Sequence, residues 1–480
     1  MPDNTLVHSI KWSGLGEIGA KLITPVTTMI LARILTPEAF GVVAICNMLV
    51  SFIDIIVDAG FGKYIVQADF KSKDECDISA NVSFWVQLGI ACTIWLLILI
   101  FRHDIAYLLG NDSYDKVIVI ASLQLIIVSL ISIQTGLLRR KFEFKKLFKI
   151  RIVTAAMPLL VSVPLSIILN SYWALIIGNL CSASANAVML FILSDWKPSF
   201  VFSYSILKKM WGFSSWSMFE GLAHWTIFWI DIFIIGRLYS AFYVGLYKNT
   251  TQIIVSLIGM ITAAMSPVLL SNFSRIKDVN TSNHLLYLIE KLFMYAMLPL
   301  GVILFFYRDI FTLIILGEKW MSGSIILGLW GAMMVISIFI YSFPAEAFKS
   351  RGIPKILFLY QVSYLCCIIP VCWYFAEIDF WSFVYARVCC VFFQMFLFVM
   401  FVKKYLLWNF KTYFSMITKP LTVAFVLLLS CMFIRYFMPA SSDLYWQVIA
   451  LVLTSILYSG FLFCFFRKDI VSTFKMLKHK

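Results

Sequence analysis

The chain has 480 residues, of which 61% are hydrophobic and only 13% charged, with 44 Phe among them. That balance lies outside the range of soluble globular domains, and a net charge of +14 with no folded basic domain to carry it points to anionic phospholipids as partners and not to nucleic acid. Continuous apolar runs of about 20 residues exclude a β-barrel, whose strands are short and alternating, and leave membrane-spanning helices.

Residues 1–10 are polar, and Lys11 leads straight into a long span with no small-residue cleavage site, so the first helix reads as retained. An all-α polytopic protein of about fourteen spans is expected. They fall near 11–35, 37–60, 78–101, 116–138, 150–169, 172–194, 211–238, 242–270, 285–306, 322–345, 354–376, 380–402, 417–438 and 445–466. Only Asn170, Ser171 and Tyr172 break the 150–194 block. An even number puts both termini on one side of the membrane, and the basic residues say which side. Seven of the 39 Lys and Arg, namely Arg33, Arg102, Lys116, Arg237, Arg308, Lys319 and Arg435, fall opposite the termini. The positive-inside rule then makes both termini cytoplasmic, with the run Arg139 to Arg151 as the strongest anchor.

No connection exceeds about 20 residues, too short for an independent catalytic domain, so function is expected between helices. Soluble chemistry leaves no trace. Gly60-Phe61-Gly62-Lys63 lacks the spacing and the following Ser or Thr of a nucleotide-binding loop, and no H-E-x-x-H occurs. The five His are scattered, and the eleven Cys read as small buried hydrophobes. No enzyme activity, cofactor or metal is expected.

The chain repeats itself. Arg33, Thr36 and Gly41 recur as Arg237, Ser240 and Gly245, and Trp12 recurs as Trp216. Basic loops LLRRKFEFKKLF (residues 137–148) and AFKSRGIPKILF (residues 347–358) form a second matched pair. Equivalent points lie six spans apart, an even number, so the copies share an orientation and relate by an axis along the membrane normal. The expected organisation is a six-helix lobe over 1–210, a second over 211–405, and two unmatched helices with a basic tail over 406–480.

Several spans carry polar groups on one face. In the second span, Asn47, Ser51, Asp54 and Asp58 follow helical spacing. An ionised group at a lipid-facing helix centre costs about 2.5–3.5 kcal/mol, so this face is expected to line protein or a wet cavity. The first span holds Glu17, Lys21, Thr24 and Thr28, and its repeat mate, the seventh, holds Ser217, Glu220, His224 and Asp231. The eighth holds Lys248, Gln252 and Ser256, and the twelfth holds Arg387 and Gln394. Glu17 with Lys21, and Glu220 with His224, can simply neutralise each other one turn apart. Lys248 and Arg387 have no acidic neighbour on their own helices, which makes them, with Lys21, candidate anion-binding cations. Thr24, Thr28, Asn47, Ser51 and Gln252 are candidate polar lining. Lys291, near a cytoplasmic helix end, is expected to snorkel. Glu17, Asp54, Glu220 and Asp231 are ion-coupling candidates, whereas Asp58 reads as a capping or packing group.

LARILTPEAFGVVAI (residues 31–45) followed by DAGFGKYIVQ (residues 58–67) resembles the opening of bacterial polysaccharide repeat-unit flippases, those for O-antigen, capsule or exopolysaccharide. These belong to the multidrug/oligosaccharidyl-lipid/polysaccharide exporter superfamily. The resemblance runs over residues 10–150, and beyond that it holds in helix count. It implies two six-helix lobes plus two further helices, around a V-shaped cavity lined with positive charge by the first, second, seventh and eighth helices. It also implies alternating-access transfer of undecaprenyl-diphosphate-linked oligosaccharide to the periplasmic leaflet of the bacterial inner membrane, driven by proton or sodium antiport and operating beside polysaccharide polymerase machinery. Two other readings remain open. A cation-coupled multidrug exporter of the same superfamily fits a net-basic cavity less well, and a membrane polysaccharide polymerase or ligase lacks its large periplasmic loop.

Overall fold

The apolar runs set where helices form; proline, left-handed residues and short polar caps set where they break. A computed structural model describes residues 23–273, 279–339, 348, 354–406, 408–437, 444–469 and 471–472. Helix α1 (Ile23–Ile34) ends at a turn in which Thr36 is extended and Pro37 opens α2 (Pro37–Asp58). Proline suits the first helical position because an N–H there would have no helical partner. At DAGFG, Ala59 and Gly60 both take left-handed backbone, φ 44° and 80°. The chain is thereby re-aimed into the short α3 (Phe61–Gln67). Then follow α4 (Lys73–Ile100), α5 (Arg102–Leu108), α6 (Asp115–Arg140) and α7 (Phe144–Met157). Pro158 starts a π turn that leads into α8 (Val163–Leu169), and α9 (Trp173–Leu193), α10 (Tyr204–Leu238), α11 (Ala241–Phe273) and α12 (Val279–Phe306) come next. The rest of the described chain holds α13 (Arg308–Ile315), α14 (Ser324–Ser337), α15 (Pro354–Ile378), α16 (Phe380–Phe401), α17 (Phe410–Phe437) and α18 (Leu444–Phe461).

Among the described residues, 12 helical stretches are long and apolar enough to cross a membrane, and each overlaps one expected span. The remaining two expected spans correspond to α1, described only from Ile23, and to α11. The protein is an all-α, multi-pass membrane protein.

The helices pack as two units, Met1–Asn249 and Thr250–Lys480. In the first, α6 is the hub, packed against α2, α3, α4 and α9. Its buried face includes Ser122, Ser129, Gln134 and Gly136; such small and polar side chains let helices approach closely where lipid offers no hydrophobic drive for association. The Asp58 carboxylate accepts hydrogen bonds from Ser132 at 2.6 Å and Gln87 at 3.1 Å. One side chain thus ties α2 to α6 and α4.

Gly41 and Gly245, equated by the repeat, lie against each other. A Cβ on Gly41 would stand 1.8 Å from the Ala241 carbonyl oxygen, and one on Gly245 would stand 1.8 Å from that of Pro37. The first turns of α2 and α11 therefore meet backbone to backbone, with the same residue pair exchanged across the contact.

In the second unit, α12 is the hub, packed against α14 and α17. Here one expectation needs correction. Lys291 does not snorkel: it is 8% exposed and pairs with Asp469 at 2.7 Å. Asp469 also meets Lys419 at 2.7 Å and accepts from the Tyr295 hydroxyl at 3.0 Å. With Asp469 within reach, Lys291 gains more from a buried partner than from extending its stem to water.

Between α15 and α16, outside the spans, Asp379 caps the N-terminus of α16. Hydrogen bonds from the Ser382 hydroxyl, the Ser382 N–H and the Trp381 N–H hold its carboxyl below the usual carboxylate range. A carboxyl depressed by folding contributes stability that is complete above its unfolded pKa of about 3.9 and is lost as pH falls through the folded value. Asp379→Asn keeps the cap but not the charge, so its thermal unfolding, followed by circular dichroism, is expected to come at a lower temperature than wild type at neutral pH and to converge with wild type in acid.

Candidate functional site

The turn at Tyr239 and Ser240 folds α10 back onto α11 and gathers four side chains from the two helices. Asp231 on α10 is buried and accepts a 2.7 Å hydrogen bond from the Tyr247 hydroxyl on α11. One residue on, the Lys248 ammonium sits 3.9 Å from the centroid of the Trp229 ring, and the Asp231 charge acts on it across the hairpin. An ammonium over an indole face keeps its charge inside an apolar setting at a gain of about 0.5–2 kcal/mol. Beside it, Asn249 Nδ2 and Thr250 Oγ1 are buried with no hydrogen-bond partner among the described residues. Gln252, one turn past Lys248, is exposed.

The polar stripe of α2 divides between neighbours. Ser51 accepts from Trp225 Nε1 at 2.9 Å while its own hydroxyl donates to the Met48 carbonyl at 3.0 Å. Phe52 packs on the same indole, with ring centroids 4.9 Å apart. Asn47 and Asp54 are half-buried, while Asp58 turns to the α4 and α6 side. Glu220 does not depend on its own-helix neighbour: it stands 4.0 Å from Lys63 of α3, both more than half exposed, and His224 packs on Phe228 at 4.8 Å. In α1, Thr24 is exposed, and the half-buried Thr28 donates to the Thr24 carbonyl at 3.0 Å. Glu17 and Lys21 lie outside the described residues.

In the second unit, Arg387 is 7% exposed. It donates from Nη1 to the Tyr364 hydroxyl at 3.1 Å, and its guanidinium lies 5.4 Å from the Trp330 centroid. Of the three cations named from sequence, the two that lie within the described residues, Lys248 and Arg387, are therefore held by aromatic faces. Trp229, Trp330 and Tyr364 escaped the sequence reading because an aromatic residue in an apolar span gives no signal of its own; only the fold shows which ring meets which charge. Glu290 was missed for another reason: the residues three and four positions away, Leu286, Tyr287, Phe293 and Met294, form no polar stripe with it.

Residues 30–324 match the polysaccharide biosynthesis protein family. The chain is 26% identical over 332 residues to the succinoglycan biosynthesis transport protein ExoT of Rhizobium meliloti (strain 1021), covering 68% of this chain and 65% of that protein. It is 21% identical to the teichuronic acid biosynthesis protein TuaB of Bacillus subtilis (strain 168), covering 70% of each. With the lipopolysaccharide biosynthesis protein WzxC of Escherichia coli (strain K12) it shares 20% identity, over 66% of this chain and 64% of that one. The matches thus span about two thirds of these relatives. In fold it is similar to the lipid II flippase MurJ in an inward closed conformation, with a TM-score of 0.74, 15% identity and coverage of 96% and 100% of the two chains. An inward-facing multidrug resistance MATE family transporter of the MOP superfamily gives a TM-score of 0.60 at 13% identity, covering 82% of this chain and 95% of that one. The family match takes in more than half of the chain, from within α1 past the hairpin that carries Asp231 and Lys248 to the start of α14, and the protein belongs to the polysaccharide biosynthesis protein family.

Proposed function

We propose that this protein is a flippase that moves an undecaprenyl-diphosphate-linked oligosaccharide repeat unit from the cytoplasmic to the periplasmic leaflet of a bacterial inner membrane, with both termini cytoplasmic. The observation that carries this reading is the family match over residues 30–324, joined to relatives named for the transport or synthesis of surface polymers. The chemistry of such a cargo suits the side chains at hand. A diphosphate needs cations and donors when it leaves water, and sugars need hydrogen-bond partners. Lys21, Lys248 and Arg387 take the diphosphate in this scheme, and Thr24, Thr28, Asn47, Ser51 and Gln252 offer polar contacts to the sugars. The lipid tail stays in the bilayer. Glu17, Asp54, Glu220 and Asp231 are the candidates for coupling to an inward cation, which yields about 2.3 kcal/mol per 100 mV of membrane potential without any nucleotide.

The direct test is reconstitution of the purified chain in liposomes loaded with undecaprenyl-diphosphate-linked oligosaccharide. An impermeant glycosidase added outside reports the exposed sugars. Protein-dependent conversion of the protected, inner-leaflet fraction to the cleavable form is the expected result. Cleavage that stops at the same outer-leaflet fraction with and without protein would sink the reading.

A further inference from the structure

Glu290 lies on α12, two turns into the stretch Asn283–Phe306 that is apolar enough to span a membrane, and it is wholly buried. Its neighbour Lys291 is turned to Asp469, and consecutive helical residues point about 100° apart. Glu290 therefore faces a different set of side chains. The Tyr413 hydroxyl of α17 faces it, yet neither carboxylate oxygen has a hydrogen bond of normal geometry among the described residues. Tyr413 in turn closes a triangle of rings with Tyr287, one turn before Glu290 on α12, and Trp408, with centroids 5.0–5.2 Å apart. Phe398 of α16 abuts Trp408 at 5.7 Å, and Trp408 Nε1 is itself buried without a hydrogen-bond partner among the described residues.

A buried carboxylate in such surroundings has to be neutralised. Among the described residues, no cationic side chain supplies this. Lys291 is committed to Asp469, as is Lys419 of α17. Lys411 of α17, and Lys403 and Lys404 in the π turn Val402–Leu406 that follows α16, are not buried. His284 is on the same helix nearly two turns earlier, and α14, packed along α12, has no ionisable side chain. Among the described residues, the titratable group that faces Glu290 is Tyr413, and Tyr287 stands one turn before Glu290 on α12. Metal cations need several oxygen ligands, whereas this wall is made of aromatic rings packed edge-on or tilted against each other, and the described residues hold no metal-ligating cluster.

We propose that Glu290 is a proton-exchange site. Its carboxylate forms an O–H bond with a proton delivered by water while the aromatic wall is parted, keeps it when α12, α17 and the Trp408 segment close, and returns it to water when they part again; no electrons move. This deepens the ion-coupled reading above, on which the link to transport rests, but proton exchange itself can be measured without any cargo.

The measurement is infrared difference spectroscopy of the purified full chain in liposomes, stepped between acidic and alkaline buffer. A protonated-carboxyl carbonyl band is expected in wild type. Loss of that band in Glu290→Gln supports the site, and identical spectra overturn it. If Glu290→Gln does not give a monodisperse protein, Tyr413→Phe decides, because removing the facing hydroxyl shifts a band that belongs to Glu290; an unshifted band overturns the assignment. A chain that flips no oligosaccharide yet loses the band in Glu290→Gln still supports the exchange site, and its failure then falls on the flippase reading alone.

Discussion

Replacing Gly41 or Gly245 by alanine is expected to destabilise the protein by about 1–3 kcal/mol, and by more when leucine is introduced. The cause is contact with backbone, which cannot rotate away as a side chain can. Real Cβ atoms essentially never approach a heavy atom within 3.0 Å, and the new carbon would stand 1.8 Å from a carbonyl oxygen in either case. The first turns of α2 and α11 would have to separate by about 1.2 Å to relieve it. Gly89, in the middle of α4, has nothing within 4 Å of the same imaginary atom, so Gly89→Ala should gain the usual helix propensity of roughly 1 kcal/mol. Thermal unfolding in detergent, compared across the variants, separates the two cases. If Gly41→Leu melts with wild type, these helix starts do not need each other.

That contact also explains why the repeat was legible. Arg33, Thr36 and Gly41 recur as Arg237, Ser240 and Gly245 because the same turn is built twice, and the two copies meet through the one residue type without a side chain. Span positions were readable for a similar reason, since bilayer thickness dictates run length whatever the packing. Partner choice was not readable. Periodicity says which residues share a helix face, but Asp231 finds Tyr247 on another helix, and Glu220 stands near Lys63. Lys291 shows the limit well. In sequence it is a lysine near a helix end, and what keeps it buried is an aspartate 178 positions later.

Lys248→Met is expected to abolish surface polysaccharide in the producing cell while leaving the amount of membrane-inserted protein unchanged. Methionine keeps an unbranched, flexible stem that can still pack on Trp229, so the substitution removes the charge and little of the contact area. The lost ring interaction of about 0.5–2 kcal/mol is offset because no ammonium has to be desolvated. A diphosphate loses more. A charge-assisted hydrogen bond contributes about 1.5–3 kcal/mol, so cargo affinity should fall roughly tenfold to more than a hundredfold. Lys248→Arg retains a cation, although the planar guanidinium cannot place its charge where the compact ammonium sits, and partial export is expected. Immunoblotting of membranes beside quantification of surface polymer checks both variants. Wild-type polymer from Lys248→Met at a wild-type protein level would take Lys248 out of the anion site. A parallel fall in polymer and protein would instead assign the residue to folding, through its place between Trp229 and Asp231.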